Sequence, residues 1–241
     1  MTEFSIAIAG RVVGIRALYA NAKEFCQGYL TDGEPDFTVT ISPEDVDFER
    51  RKSASEDEME GIPIRHFSSE YLETLAIYRK IVEKMLDYNA FLFHGSAISV
   101  DGEGYLFTAK SGTGKSTHTH LWMKHLPGAR IINDDKPAIR YYNGQFYAFG
   151  TPWSGKTDES LNIGAPIGGI CFLERGENKI KRIPGAAAIG LFMEQTARTR
   201  EKEVMNRVMD MISRVLSEVP VYKLSCDMSE EAVMTSYNGM K

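Results

Sequence analysis

The chain has 241 residues, enough for one large core or for one core with a smaller companion. Apolar residues make up 43% and charged residues 25%, the balance of a soluble globular protein, and no apolar run reaches the ~18–20 residues that cross a bilayer. The net charge of −5 provides no basic field, so neither nucleic acid nor a membrane surface is expected as a partner.

Residues 1–66 are expected to form a small N-terminal α+β region packed on a main domain of residues 67–241. Within the first region, 4–9 and 37–41 read as short strands and 21–30 as a short helix. The start, Met1-Thr2-Glu3-Phe4, lacks the basic-then-apolar pattern of a signal peptide. Cys26, Cys171 and Cys226 are an odd set without metal-ligand spacing, and read as reduced thiols of a cytoplasmic protein. Residues 43–60 are charge-rich, with Glu49-Arg50-Arg51-Lys52 followed by Glu56-Asp57-Glu58, which predicts a solvated helix or a mobile loop.

From Ser68 the periodicity becomes helical: Tyr71, Leu75, Tyr78, Val82 and Met85 repeat at four and three, one apolar stripe. Residues 91–93 and 104–108 then read as buried strands, with a turn at Val100-Asp101-Gly102-Glu103-Gly104.

The strongest signal follows: Ala109-Lys110-Ser111-Gly112-Thr113-Gly114-Lys115-Ser116, between a strand and a helix expected over 115–125. Phosphate oxygens need several amide donors converging on them, and glycines let the backbone approach and take unusual dihedrals. The helix adds its free N-terminal amides and the positive end of its dipole. In such a loop Ser111, Gly112, Thr113, Gly114, Ser116 and Thr117 surround the phosphates of ATP, Lys115 reaches the β- and γ-phosphates, and the Ser116 hydroxyl ligates Mg²⁺. A glycine-rich turn without a ligand is the bland alternative, and the order strand, loop, helix favours nucleotide. Ala109 stands where the usual motif begins with glycine, which tightens the loop entrance. His118 and His120 point to nearly opposite sides of the helix and cannot share a metal.

A strand at 129–132 leads into Asn133-Asp134-Asp135-Lys136, about 20 residues after Lys115. Two carboxylates at a strand end can divide the work, one holding Mg²⁺ directly or through water, the other taking a proton from an attacking hydroxyl. Asp-Asp pairs also make turns and helix caps. Strands at 138–142, 145–149 and 169–173 follow. Between them, Gly150-Thr151-Pro152-Trp153-Ser154-Gly155-Lys156 reads as an active-site loop, with Lys156 facing phosphate or an acidic substrate. The alternative is a tight turn that buries Trp153. Val204, Val208, Met211 and Val215 form a core-facing helical stripe.

The stretch Phe93-His94-Gly95-Ser96-Ala97-Ile98-Ser99-Val100-Asp101, then Gly104-Tyr105-Leu106, the glycine loop and Asn133-Asp134-Asp135 resembles the catalytic domain of HPr kinase/phosphorylase. Ser-Gly-Thr-Gly-Lys is also similar to the P-loop of ATP-dependent phosphoenolpyruvate carboxykinase, which shares that fold. The resemblance covers roughly residues 90–195 and implies an α/β fold with a mixed β-sheet core around the P-loop. It implies that His94 lies beside the phosphates, that Lys115 is catalytic, and that Asp135 activates the acceptor hydroxyl with Asp134 as its neighbour at the metal. Glu159 is the nearest counterpart of the family's metal-binding glutamate, though a surface salt bridge suits it nearly as well. The family's proline-glycine-arginine-asparagine segment stands here as Pro184-Gly185-Ala186-Ala187. The missing arginine counts against phosphorolysis and against the usual protein substrate, and Arg198 and Arg200 are the nearest cations downstream. Family members are often hexamers, so the resemblance also admits a homo-oligomer.

The expected function is an ATP-dependent kinase, transferring the γ-phosphoryl to a hydroxyl on a protein, a peptide or a small metabolite. A carboxykinase-like reaction on an oxo acid and a nucleotide-binding accessory role in a biosynthetic pathway are the alternatives.

Overall fold

The computed structural model describes residues 1–110, 112–196 and 202–241. They form two compact units, Met1–Lys84 and Met85–Lys241.

In the first unit, β1 (Thr2–Ile8) and β2 (Arg11–Ala17) pair antiparallel about Ala9-Gly10, both with positive φ. β2 was not evident from the sequence. α1 (Asn21–Phe25), β3 (Leu30–Thr31) and β4 (Phe37–Thr40) follow, and the four-stranded sheet runs β3-β1-β2-β4. Ile6 and Ile8 of β1 and Val13, Ile15 and Ala17 of β2 bury one face.

The charge-rich run is a helix, α2 (Pro43–Glu60), because its ends are specified. Ser42 and Asp45 make a reciprocal capping box, Pro43 occupies the first turn, and Gly61 closes the C-terminus in the left-handed conformation. Its acidic residues meet α3 (Ser69–Met85): Arg79 donates to Glu49 Oε1 at 2.6 Å and to Asp45 Oδ1 at 3.1 Å, and Lys80 reaches Asp45 Oδ2 at 2.5 Å. The fully buried row of α3 is Leu72, Ala76, Ile77, Ile81 and Met85, so of the expected stripe Met85 lies in it while Tyr71, Leu75, Tyr78 and Val82 lie beside it. Both rows are apolar, and tyrosines take the wetter one because their hydroxyls prefer an aqueous end. The expected division at 66/67 assigns this helix to the second domain; it falls almost wholly within the first unit.

The second unit contains β5 (Ala90–Leu92), β6 (Ser96–Val100), β7 (Glu103–Thr108), α4 (Lys115–His125), β8 (Arg130–Asn133), β9 (Ala138–Tyr142), β10 (Gln145–Phe149) and β11 (Gly164–Arg175). After these come β12 (Lys179–Ile183), α5 (Gly185–Met193), α6 (Lys202–Glu218), β13 (Val221–Cys226) and α7 (Glu230–Met240). Among the described residues nine strands form one mixed sheet, in the order β5-β9-β10-β11-β7-β6-β8, with β13 and β12 branching from β11. β11 runs parallel to β7 and β13; the remaining pairs are antiparallel.

Alternation along the central strands divides the core. Ala97, Leu106, Ile170 and Phe172 face Phe192 of α5 and Val208, Ile212 and Val215 of α6. Ile98, Tyr105, Phe107, Cys171 and Leu173 face Trp122 of α4 and Val233 and Met240 of α7. Adjacent strand residues point to opposite faces, so the unit is helix–sheet–helix. Trp122 is fully buried, with ring centroids 5.1 Å from Tyr105 and 5.0 Å from Phe107, and its indole N–H reaches Ser236 Oγ at 2.9 Å. That anchor presses α4 onto β7 and thereby fixes the glycine loop between them.

Candidate functional site

The loop from β7 into α4 holds the expected motif, with Ser111 outside the described residues. Gly112 and Gly114 have φ of +75° and +122°, and an added Cβ on either would meet nothing within 4 Å. Their requirement is thus conformational, and the space before the loop is open. Gly114, the N-cap of α4, makes no side-chain cap, so among the described residues the first-turn amides remain available to an anion. Thr113 N–H donates to Lys110 O at 3.1 Å, and Arg175 Nη2 donates to Gly112 O at 2.9 Å, which closes the loop from the end of β11.

Lys115 is half-buried, its ammonium 3.5 Å from Ala109 O. Burial pulls its pKa down, Asp135 raises it, Lys136 lowers it and Asp134 raises it, with the balance below the ordinary lysine value. A partly desolvated cation with only distant carboxylate compensation favours an arriving polyanion.

Asn133 organises the acidic turn after β8. Its Oδ1 accepts from Asp135 N at 2.9 Å and Lys136 N at 2.6 Å, while Nδ2 donates to Thr151 O at 2.9 Å and Trp153 O at 3.3 Å. One buried amide therefore shapes the Asp-Asp turn and ties it to the 150–156 loop. Asp135 is half-buried, with Oδ1 3.2 Å from His94 Nε2 and Oδ2 3.5 Å from Lys136 Nζ. Burial alone would raise its pKa; the His94 hydrogen bond and the Lys136 charge outweigh it and hold the carboxyl below its usual range. His94 is fixed by backbone on two sides, its N–H on Gln195 O at 2.7 Å and its carbonyl accepting from Thr108 Oγ1 at 2.9 Å.

Asp134 is buried and differently engaged. Ser96 Oγ donates to its Oδ1, and Thr157 Oγ1 donates to its Oδ2 at 2.9 Å. Glu159 Oε2 lies 2.5 Å from His120 Nε2, and Glu159 O accepts from Asp134 N at 3.1 Å. Among the described residues no group of three or more His, Cys, Asp or Glu side chains is arranged around a metal position. The expected ligands Asp134 and Glu159 are thus both partnered inside the protein, although no hydrogen bond to Glu159 Oε1 is present among the described residues.

In the 150–156 loop Trp153 is buried, 6% exposed, as a structural turn would have it. Its far end reaches the acidic pair, because a Cβ on Gly155 would stand 2.9 Å from Asp135 Cβ, at φ +72°. Lys156 follows and is exposed, with no ion pair among the described residues. Arg198 and Arg200 lie outside the described residues.

One region therefore gathers Lys115, His94, Asp134, Asp135 and Glu159 with the glycine loop, while Trp153 serves the core. The sequence motifs do not include Thr119, Thr157 or Arg175, and they place His120 only as a residue that cannot share a metal with His118. Ser116, Thr119 and His120 share one face of α4 at spacings of three and four, so projecting that helix would have brought Thr119 and His120 in. Thr157 and Arg175 carry no motif, and only the fold delivers them. His118 sits on the other face, bonded near Ser236 and Trp122, and burial pushes its pKa down to about 4.

No protein-family model matches the sequence, and no curated relative does. Among solved structures the chain is similar to the Hpr(Ser) kinase/phosphatase from Coxiella burnetii, at 11% sequence identity and a TM-score of 0.37, covering 61% of this chain and 90% of that one. The likeness is distant.

Proposed function

We propose that the second unit is an ATP-dependent phosphotransferase acting on a hydroxyl. The single observation that carries this reading is the placement of the His94–Asp135 pair within electrostatic reach of the half-buried Lys115, itself at the foot of an open glycine loop. A phosphate cradle without a base would suit a binding protein, whereas a cradle facing a hydrogen-bonded carboxylate suits transfer.

In this reading the amides of the glycine loop and of the first turn of α4 bind the phosphate oxygens. Lys115 neutralises charge on the transferred group and regains the counter-charge that burial denies it. Asp135 accepts the proton of the acceptor hydroxyl, and His94 orients its Oδ1. Mg²⁺, if bound with the nucleotide, would supply further neutralisation of the phosphate charge. Ser116 and the open Oε1 of Glu159 fit an ion that keeps most of its water and reaches the protein through one or two side chains. Gly155 and Lys156 border the acceptor side, where the loop limits water as a competing acceptor.

The test is incubation with γ-labelled ATP, alone and with candidate hydroxyl acceptors, using wild type and Asp135→Asn. Label should pass to an acceptor with wild type and not with the variant. Label transfer by Asp135→Asn at the wild-type rate contradicts the assignment.

A further inference from the structure

Asp134 stands where a metal-binding carboxylate is expected, yet both its oxygens are taken by hydroxyl donors. Thr157 Oγ1 donates to Oδ2 at 2.9 Å, and Ser96 Oγ donates to Oδ1. With the Ser96 hydrogen on Asp134, the 3.0 Å contact between Ser96 Oγ and Thr119 Oγ1 draws on the single Thr119 hydrogen, which also faces Ser116 O at 3.0 Å and Lys115 O at 3.3 Å. Ser96 and Thr157 both donate to Asp134, and Thr119 bridges from Ser96 to the backbone of the first turn of α4. These four residues come from α4, β6, the turn after β8 and the segment following the 150–156 loop. Ser96, Thr119 and Asp134 are buried, so water does not compete for the contacts among them, whereas Thr157 is exposed.

We propose that Thr119, Ser96, Asp134 and Thr157 form a link that holds the acceptor-side loop to the phosphate-binding helix, and that Asp134 is a positioning residue rather than a metal ligand. The proposal rests on reading the site as nucleotide-binding. Thr119 lies one helical turn after Lys115, and Gly155, two residues before Thr157, abuts Asp135. A shift at Thr157 is thus transmitted to the base through Gly155 and to Lys115 through α4. Each Asp134 oxygen already accepts a hydroxyl, whereas Glu159 Oε1 has no hydrogen bond among the described residues, which is why the metal role is given to Glu159 and Ser116. A buried carboxylate whose oxygens are each satisfied by one hydroxyl is costly to leave half-paired, so removing either donor should loosen the whole chain of contacts.

Two measurements on the full chain decide it. The first is hydrogen exchange of the free protein. Thr157→Val should speed exchange both in residues 153–161 and in the first turns of α4, and Thr157→Ser, which restores the hydroxyl, should return both to wild type. Faster exchange confined to 153–161 overturns the link. The second is calorimetric titration with ADP, with and without Mg²⁺, together with turnover of labelled ATP. Thr157→Val and Asp134→Asn should each lower turnover by about 10²-fold, the scale of a small misplacement of reacting groups, while Mg²⁺ strengthens ADP binding as in wild type. Glu159→Gln should lose that Mg²⁺ enhancement. Loss of the enhancement in Asp134→Asn with Thr157→Val unaffected makes Asp134 a metal ligand and sinks the proposal. Failure of wild type to bind ADP under any condition would instead sink the nucleotide reading, and the exchange experiment would still decide the link.

Discussion

At the residue scale burial pushes the two groups that matter most in opposite senses, yet both end below their ordinary values. Lys115 is held below its ordinary pKa and Asp135, despite burial, below its own, because only Asp135 has close partners of opposite character. Lys115→Ala should abolish turnover, since the loop's other cation, Lys110, is exposed whereas Lys115 is half-buried. Asp135→Asn keeps the shape but accepts no proton, so turnover should fall by ~10²–10⁴-fold with nucleotide affinity nearly unchanged; a fall of only a few-fold would move the base elsewhere. The depressed carboxyl also has a stability signature. A group with a lowered folded-state pKa contributes stability fully present above its unfolded value, near 3.8, and lost as pH falls through the lowered value. Denaturant unfolding below about pH 4 should therefore be less pH-sensitive in Asp135→Asn than in wild type. Glycine at 155 has its own test, because alanine there adds a clash with Asp135 to an unfavourable φ of +72°. Gly155→Ala should depress turnover more than ADP affinity, and equal losses in both would detach this loop from the base.

At the element scale, the sequence was most informative where local chemistry and packing agree. The helix at 115–125, the strands at 138–142 and 145–149, and the 204–215 stripe lie where periodicity places them. β12, written Lys-Ile-Lys-Arg-Ile, hides as a charged surface run because only its pairing with β13 makes it a strand. β6 was obscured by its small polar residues, Ser96 and Ser99, although Ser96 is at the site because of that very hydroxyl. α4 is the element that delivers Lys115, and it is held from behind by Trp122. Trp122→Ala should cost about 3–5 kcal/mol of stability in denaturant unfolding, and the surviving folded protein should bind nucleotide less tightly. A loss under ~1 kcal/mol would mean that α4 is anchored by its other contacts.

At the scale of the whole molecule, the motif and acidic turn were legible because they are contiguous in sequence, whereas the His120–Glu159 and Ser96–Asp134–Thr157 pairings join residues 23 to 39 positions apart. The two compact units divide at 84/85 rather than at the expected 66/67, because a helix announces its periodicity but not the sheet it packs on. Both tryptophans, Trp122 and Trp153, belong to the second unit, so tryptophan fluorescence reports that unit alone. Its unfolding should therefore shift with bound nucleotide, by about 2.7 kcal/mol at a hundredfold excess over Kd. The central claim, that the loop before α4 binds nucleotide phosphates through Lys115, is tested most directly by calorimetric titration of Mg²⁺–ATP into wild type and Lys115→Ala. Saturable binding by wild type that weakens at least tenfold in the variant is the predicted result; equal affinity in the two, or no binding to either, would contradict it.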